Sequence, residues 1–165
     1  MSYNVNIIGN SAFYSCPFVT KVNLNNNIIK IDDSAFSDCA SLTFIKIPSS
    51  VEYIGAYAFY DCSRLLDIII PDKITCINRE TFSGCSRLTS VVLPKELEKI
   101  EMSAFAFCPS LTNVFYYGTI DDWKNLIICD YNDYLLSANK YYYSEDEPKV
   151  KGDYWHYVDN VPTCW

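Results

Sequence analysis

A phenylalanine recurs at every twenty-third position through the first two thirds of the chain, and a cysteine follows each one three residues later. No insertion interrupts the count, so one unit is repeated without a change of length. Such a repeat is typical of a solenoid, in which each unit forms one coil and buries its apolar side on its neighbours. We predict that like residues stack in two ladders: Phe13, Phe36, Phe59, Phe82 and Phe105, and Cys16, Cys39, Cys62, Cys85 and Cys108.

The spacing within a unit predicts how each coil runs. Apolar residues lie nine and eleven places after each Phe, as Ile45 and Ile47 do after Phe36, and variable residues separate them. A period of two is that of a half-buried strand, and Pro48 then ends the pairing because it has no N–H. We therefore predict one short strand per unit, a return path of tight turns or a single helical turn, and a right-handed coil with a parallel sheet.

The repeat resembles a known family. The order Cys-x-x-Leu-x-x-Ile-x-Ile-Pro-x-x-Val-x-x-Ile-x-x-x-Ala-Phe, from Cys39 to Phe59, is similar to the BspA-like leucine-rich repeats of bacterial and protist surface proteins. The resemblance covers Ile8 to about Ile120. It implies a leucine-rich repeat solenoid with the parallel sheet on its concave face, and it implies no catalytic residues. It also implies adhesion or protein binding, in a protein that is secreted or held at the cell surface.

The last part of the chain has a different composition, with nine of the fourteen Tyr and all three Trp from Tyr116 onward. We divide the chain into repeats at 1–117, formed by a partial first repeat and five units, and a capping segment at 118–165. The runs Tyr116-Tyr117-Gly118-Thr119 and Tyr154-Trp155-His156-Tyr157-Val158-Asp159 resemble an ending that follows such repeats in proteins of Gram-positive gut bacteria. The segment is either a cap on the last coil or a linker to further modules.

Local patterns predict a short helix and a β-hairpin in this capping segment. Thr119 is placed to cap a helix in which Asp121 and Asp122 lie near the positive end. Three apolar residues would form an apolar stripe on it: Trp123, Leu126 and Ile127. Residues 130–139 have the composition of a loop. Residues 141–143 and 154–158 are rich in aromatic residues and flank a polar run, so we expect these two strands to pair with each other.

The eight cysteines favour buried free thiols over disulfides. Stacked coils hold equivalent Cβ atoms parallel and about 4.8 Å apart, whereas a disulfide needs roughly 3.5 to 4.5 Å and converging bonds. A buried thiol can instead donate weakly to a carbonyl of the next coil. Whether Cys129 pairs with Cys164 stays open. No Cys-x-x-Cys motif occurs and His156 is the only histidine, so we predict no metal, no cofactor and no catalysis.

Charge and the ends of the chain bear on partners and location. The net charge of −7 and the absence of a basic stripe argue against nucleic acid. Met1, Val5 and Ile8 occupy positions of an incomplete preceding unit, so the first coil has a bare edge that favours end-to-end self-association. There is no signal-peptide pattern and no apolar run long enough for membrane insertion. The chain is then a fragment of a secreted or surface protein, or an intracellular protein if Met1 is the natural start.

Stacking aligns the outward positions of the strands into columns along the sheet. An apolar strip there is more than scattered surface residues, and we predict that it binds a protein partner. The predicted contact residues are Phe44, Lys46, Leu66, Asp67, Ile69, Val92 and Phe115. The alternatives are that these residues serve strand packing or lie beneath the capping segment. Two other functions stay open, which are carbohydrate or cell-wall attachment through the aromatic tail, with Trp155 and Tyr157, and a purely structural spacer.

Overall fold

A computed structural model describes residues 5–149, 152–159 and 161–165. The chain forms a solenoid of about six coils with a spacing of about 23 residues. Each coil contributes a strand to a front face and a shorter strand to a second face, and neighbouring coils pair in parallel. The predicted solenoid with parallel sheets is confirmed.

The front face carries the strands that the alternating pattern predicted. Ile45 and Ile47 are buried while Phe44 and Lys46 are exposed, as a period of two requires. Equivalent residues pair in register, so that Val91 lies between Ile68 and Val114. The strands are β2 (Lys21–Asn23), β4 (Phe44–Lys46), β6 (Asp67–Ile69), β8 (Ser90–Leu93), β10 (Asn113–Tyr116) and β12 (Asn139–Tyr143).

The second face corrects the prediction of one strand per unit. The Ile eighteen places after each of the first four ladder phenylalanines points into the core, and the extended backbone around it pairs with a neighbouring coil. Glu52 N–H donates to the Ile29 carbonyl and Gly55 N–H to the Ile31 carbonyl, both at 2.8 Å. The strands are β1 (Ile7–Ile8), β3 (Lys30–Ile31), β5 (Tyr53–Ile54), β7 (Cys76–Ile77), β9 (Lys99–Ile100) and β11 (Ile127–Ile128).

The return path is built from turns with a repeated left-handed geometry. Two residues of positive φ flank each ladder Phe, one two places before it and one two places after it, as Tyr57 and Asp61 flank Phe59. The N–H groups of Tyr57, Phe59 and Asp61 each donate to a carbonyl of the next coil, at 2.8 to 3.0 Å. Although turns leave many backbone groups unpaired within a coil, here those groups are satisfied between coils.

The core consists of ladders of identical side chains. The five phenylalanine rings stack with centroids 5.1 to 5.5 Å apart and planes within 19° of parallel. Cys39, Cys62, Cys85 and Cys108 are buried and free, and each thiol donates to the carbonyl of the Phe in the preceding coil at 3.1 to 3.3 Å. Only the first members differ, because no described coil precedes them: Phe13 is 39% exposed and Cys16 is partly exposed.

Strand pairing is interrupted at one coil boundary on both faces. Within residues 43–81, all of which the structure describes, β4 does not pair with β6 and β5 does not pair with β7. The Asn78 side-chain amide donates to the Ile54 carbonyl there, at 2.6 Å. The Phe36 and Phe59 rings still stack, and Phe36 N–H donates to the Ala58 carbonyl at 2.8 Å. The core and the turns therefore hold this boundary together.

Both faces continue past residue 117, the predicted end of the repeats, because β11 pairs with β9 and β12 with β10. The division at residue 117 stays a prediction. A helix, α1 (Ile120–Asn125), begins at Thr119 as predicted, with a capping box in which Thr119 and Asp122 bond reciprocally. It ends before Ile127, which the predicted stripe included and which is 60% exposed in β11.

The predicted loop at residues 130–139 is wrong. It contains a helix, α2 (Asp133–Ser137), whose Leu135 is fully buried. Burial of Leu135 against the last coil stabilises a helix that the local sequence does not indicate.

Asn132 closes the stack at the end of the last repeat. In inner coils the backbone N–H of the ladder Phe donates to a backbone carbonyl of the next coil, as that of Phe82 does to the Ala104 carbonyl at 2.9 Å. Phe105 donates instead to the Asn132 side-chain oxygen at 3.0 Å. The Asn132 amide nitrogen donates to the Glu101 and Cys129 carbonyls, at 2.9 and 2.8 Å. One buried side chain thus replaces the hydrogen bonds of a further coil.

The terminal hairpin has a different pairing from the predicted one. Strand β13 (Tyr154–Val158) pairs with β12 in parallel, and it pairs antiparallel with a last strand, β14 (Val161–Cys164). The prediction that residues 141–143 and 154–158 form the hairpin is therefore wrong. Because it pairs with β12 in parallel, β13 enters the sheet in the direction of the repeats.

At the other end, Val5 is exposed and Ile8 is buried, while Met1 lies outside the described residues. The predicted self-association through this coil stays a prediction.

Candidate functional site

The front face is divided into a covered part and an open part. Ile69, Val92 and Phe115 occupy the same place in successive coils, ten residues after the ladder Phe. Ile69 is 46% exposed, whereas Val92 is 3% and Phe115 is 7% exposed. The prediction that Val92 and Phe115 are exposed on this face is therefore wrong. Both lie beneath the C-terminal hairpin, which was the alternative left open by the sequence.

Trp155 is the side chain that covers them. It is fully buried, its ring centroid lies 5.4 Å from that of Phe115, and its indole N–H donates to the Tyr116 carbonyl at 3.1 Å. The rings of Tyr117, Tyr143 and Tyr157 surround it at 4.9 to 5.2 Å. These residues form a second apolar cluster on the outside of the sheet, separate from the core of the coils. Packing thus accounts for much of the aromatic content of the tail.

A groove lies between the hairpin and the open part of the front face. It consists of two cavities of about 340 and 490 Å³ that share Phe44, Asp67 and Ile69. Val161 and Pro162 of β14 border the smaller cavity, and Tyr157 of β13 borders the larger one. We call this feature the front groove. Its lining residues are Phe44, Ile45, Lys46, Ile47, Asp67, Ile68, Ile69, Ser90, Val92, Phe115, Tyr157, Val161 and Pro162.

The predicted contact residues are distributed unevenly around this groove. Phe44, Lys46, Asp67 and Ile69 line it and are exposed. Leu66 is exposed on the same face, next to the groove in sequence but outside its lining. Sequence reasoning missed Tyr157, Val161 and Pro162, because only the fold brings the hairpin over this face. The sequences of the two short strands that carry them give no sign of where the hairpin lies.

Two charged side chains stand in the front groove. The partly apolar surroundings raise the pKa of the Asp67 carboxyl, since they disfavour its charged form. In the part of the chain that the structure describes, no lysine or arginine lies within ion-pair distance of Asp67. Lys46 lines only the larger cavity, on the neighbouring coil. The groove therefore combines apolar walls with one unpaired carboxylate and a cation to one side.

The arrangement offers little for thiol or histidine chemistry. Burial raises the pKa of Cys108 to about 12 and that of Cys85 well above its usual range, so both thiols stay protonated and are poor nucleophiles. His156 stacks on Trp165 with ring centroids 3.7 Å apart. Cys129 and Cys164 are both free. Among residues 5–149, 152–159 and 161–165, no three His, Cys, Asp or Glu side chains converge as metal ligands do.

The family is decided by the repeats. A family model for the BspA type leucine rich repeat region matches residues 6–132 in six copies. The chain belongs to this family. The match extends beyond the predicted boundary at residue 117, and β11 and β12 form a coil there. BspA type repeats thus account for both parallel faces and for the ladders between them.

Three solved structures are similar to this BspA type protein. A leucine rich cell surface protein of Faecalibacterium prausnitzii is 27% identical, with a TM-score of 0.60 over 66% of this chain and 35% of that one. The leucine rich repeat protein of T. pallidum is 28% identical, with a TM-score of 0.65 over 76% of this chain and 62% of that one. The pneumococcal vaccine antigen PcpA is 22% identical, with a TM-score of 0.66 over 85% of this chain and 34% of that one. At this identity the likeness shows the fold alone.

The chain spans between about a third and three fifths of the length of these structures. No curated protein matches it. Within the described ranges, neither α1 nor α2 nor any other helix has the length and apolar character needed to cross a membrane.

Proposed function

We propose that this BspA type protein is a non-catalytic interaction or adhesion module that binds a protein partner through the open part of the front face. The contact residues are Phe44, Lys46, Leu66, Asp67 and Ile69. One observation carries the proposal: three large apolar side chains, Phe44, Leu66 and Ile69, stay exposed beside a groove while the hairpin covers their neighbours on the same face.

Strand propensity alone does not explain why these residues are apolar. In a strand with one solvated face, buried apolar side chains alternate with exposed polar ones. Asn23, in β2, is such an exposed polar residue. At the equivalent position, Val92 and Phe115 are apolar and are covered by Trp155. Ile69 has the same character without such a cover. An apolar patch bordered by charged residues is typical of a protein interaction surface.

We infer that the protein acts outside the cell or at its surface. The similar structure from F. prausnitzii is that of a cell surface protein, and the resemblance of the tail supports an origin in a Gram-positive gut bacterium. The chain spans only part of that protein, so this location is a proposal for the whole protein to which the repeats belong.

The burial of Trp155 weakens the alternative hypothesis that the aromatic tail binds sugars. Stacking on a sugar needs an exposed ring face, and Trp155 is fully buried. Tyr157, the other residue of that hypothesis, packs against Trp155 with centroids 5.1 Å apart.

Replacing Ile69 with Glu tests the proposal. The side chain is exposed, so we expect the free energy of unfolding to change by less than about 0.5 kcal/mol. A charge in the middle of the apolar patch should remove binding, because the partner would have to desolvate it. The measurement is affinity capture from extracellular matrix and bacterial envelope extracts, with bound proteins identified by mass spectrometry.

Ile127→Glu is the matched control, since Ile127 is a similarly exposed isoleucine on the second face. A partner retained by the wild type and by Ile127→Glu but lost by Ile69→Glu supports the front face. Equal retention by all three proteins contradicts it. Capture of nothing specific by any of them favours the spacer.

A further inference from the structure

We propose that the front groove binds an extended peptide segment of the partner, with a large apolar side chain on Ile69 and an adjacent Lys or Arg at Asp67. This inference rests on the proposed function and specifies the chemistry of the partner.

The shape of the groove fits a chain segment. Its two cavities share Phe44, Asp67 and Ile69, so they form one continuous depression, and each is of the size of a small ligand site. The hairpin borders it through Val161 and Pro162, and Phe44 lines it on the coil before Ile69. It lies at the boundary where β4 and β6 are not paired. Two adjoining cavities suit successive side chains of one segment better than a single compact molecule.

The protein itself shows what this face accepts. Trp155 packs on Val92 and Phe115, and the strand that carries it lies beside the front face. Ile69 occupies the same repeat position as these two residues, one coil earlier, where neighbouring strands are about 4.8 Å apart. A large apolar side chain of a partner can therefore pack on Ile69 as Trp155 packs on Val92. The hairpin thereby provides an internal precedent for the apolar contact.

The charge distribution specifies the second side chain. Asp67 lines both cavities and has no ion-pair partner among the residues that the structure describes. A lysine or arginine of a bound segment could form a charge-assisted hydrogen bond with this carboxylate. The apolar surroundings raise the pKa of the Asp67 carboxyl, which indicates that a cation there would relieve an unfavourable environment. The overall charge of −7 also favours the approach of a basic segment.

Lys46 determines where the basic side chain lies. It lines only the larger cavity, and it would repel a second cation there. The basic residue of the segment is therefore expected at the smaller cavity, next to Asp67, and an acidic or neutral residue is expected near Lys46. The two charges together give the bound segment one direction.

Selection of random linear peptides displayed on phage against the full chain tests the inference. We expect the enriched peptides to combine a large apolar residue with a neighbouring Lys or Arg. Asp67→Asn keeps the size of the side chain but removes its charge, and it should weaken the binding of a synthetic enriched peptide about tenfold or more. Asp72→Asn is the matched control, because it makes the same substitution at an exposed carboxylate of the same coil that lines neither cavity, and it should leave the affinity unchanged.

The outcomes separate this inference from the proposed function. If Ile69→Glu abolishes peptide binding but Asp67→Asn does not weaken it, the predicted Lys or Arg of the segment at Asp67 is wrong. The front face then remains the binding surface. If no peptide is enriched, or if enriched peptides bind the Ile69→Glu variant as well as the wild type, both the peptide-binding inference and the proposed function of the front face are overturned. If Asp72→Asn weakens binding as much as Asp67→Asn, the assignment of the cation to Asp67 is contradicted.

Discussion

Replacing Phe59 with Ala is expected to lower the free energy of unfolding by about 3 to 5 kcal/mol, the usual cost of truncating a buried aromatic residue. The Phe59 ring is fully buried and stacks on Phe36 at 5.5 Å and on Phe82 at 5.4 Å. The cavity left behind cannot close, since the coils on both sides are fixed by backbone bonds at the turns. Chemical denaturation followed by circular dichroism measures the loss.

Phe13→Ala is the matched control for this substitution. Phe13 is the first ring of the ladder, and among the residues that the structure describes it stacks only on Phe36, at 5.1 Å; it is 39% exposed. Its truncation removes less buried area, so we expect a clearly smaller loss of stability than for Phe59. Equal losses for the two variants, or a Phe59→Ala protein as stable as the wild type, would show that the ladder is not continuous.

Trp155→Ala is expected to have an effect of similar size, but confined to the C-terminal hairpin. The substitution removes the side chain that covers Val92 and Phe115, and it leaves the Tyr116 carbonyl without the indole N–H. Truncating a buried tryptophan costs about 3 to 5 kcal/mol. A short hairpin outside the main core is only marginally stable, so it should detach from the sheet after such a loss. Limited proteolysis with mass spectrometry should then show rapid cleavage after residue 143, while the coils stay intact.

The same variant should bind a hydrophobic dye more strongly, because Val92 and Phe115 become exposed. Trp165→Ala is its control, since Trp165 is exposed and stacks on His156 at the end of β14. This control should resist proteolysis nearly as the wild type does. A Trp155→Ala protein that is cleaved no faster than Trp165→Ala would mean that other contacts hold the hairpin.

The repeats were predictable because equivalent residues have the same 23-residue spacing in every unit. Once Phe36 and Phe59 are equivalent, stacking places each side chain on its counterpart, and the buried and exposed positions of β4 follow from the alternation around Ile45. The helix cap at Thr119 was likewise predictable, because it depends only on residues within one turn. Local patterns and exact repetition thus determine most of the solenoid.

The covered part of the front face could not be predicted in this way. Whether Val92 and Phe115 meet solvent depends on where the hairpin returns, and no spacing in the sequence encodes that path. Burial of Leu135 in α2 and of Trp155 in β13 is likewise a tertiary effect that outweighs weak local preferences. The one sequence sign was the amphipathic character of Trp155, whose N–H needs a partner when its ring is buried.

Thiol labelling of the native protein, with each site quantified by mass spectrometry, tests the stacking of like residues most directly. Cys164 is exposed, whereas Cys62 and Cys85 are buried in the ladder and their pKa values are raised by burial. Iodoacetamide should modify Cys164 readily, and it should modify the ladder thiols at positions 39, 62, 85 and 108 only after denaturation. Modification of Cys62 or Cys85 in the native protein at the rate of Cys164 would contradict the stacked solenoid.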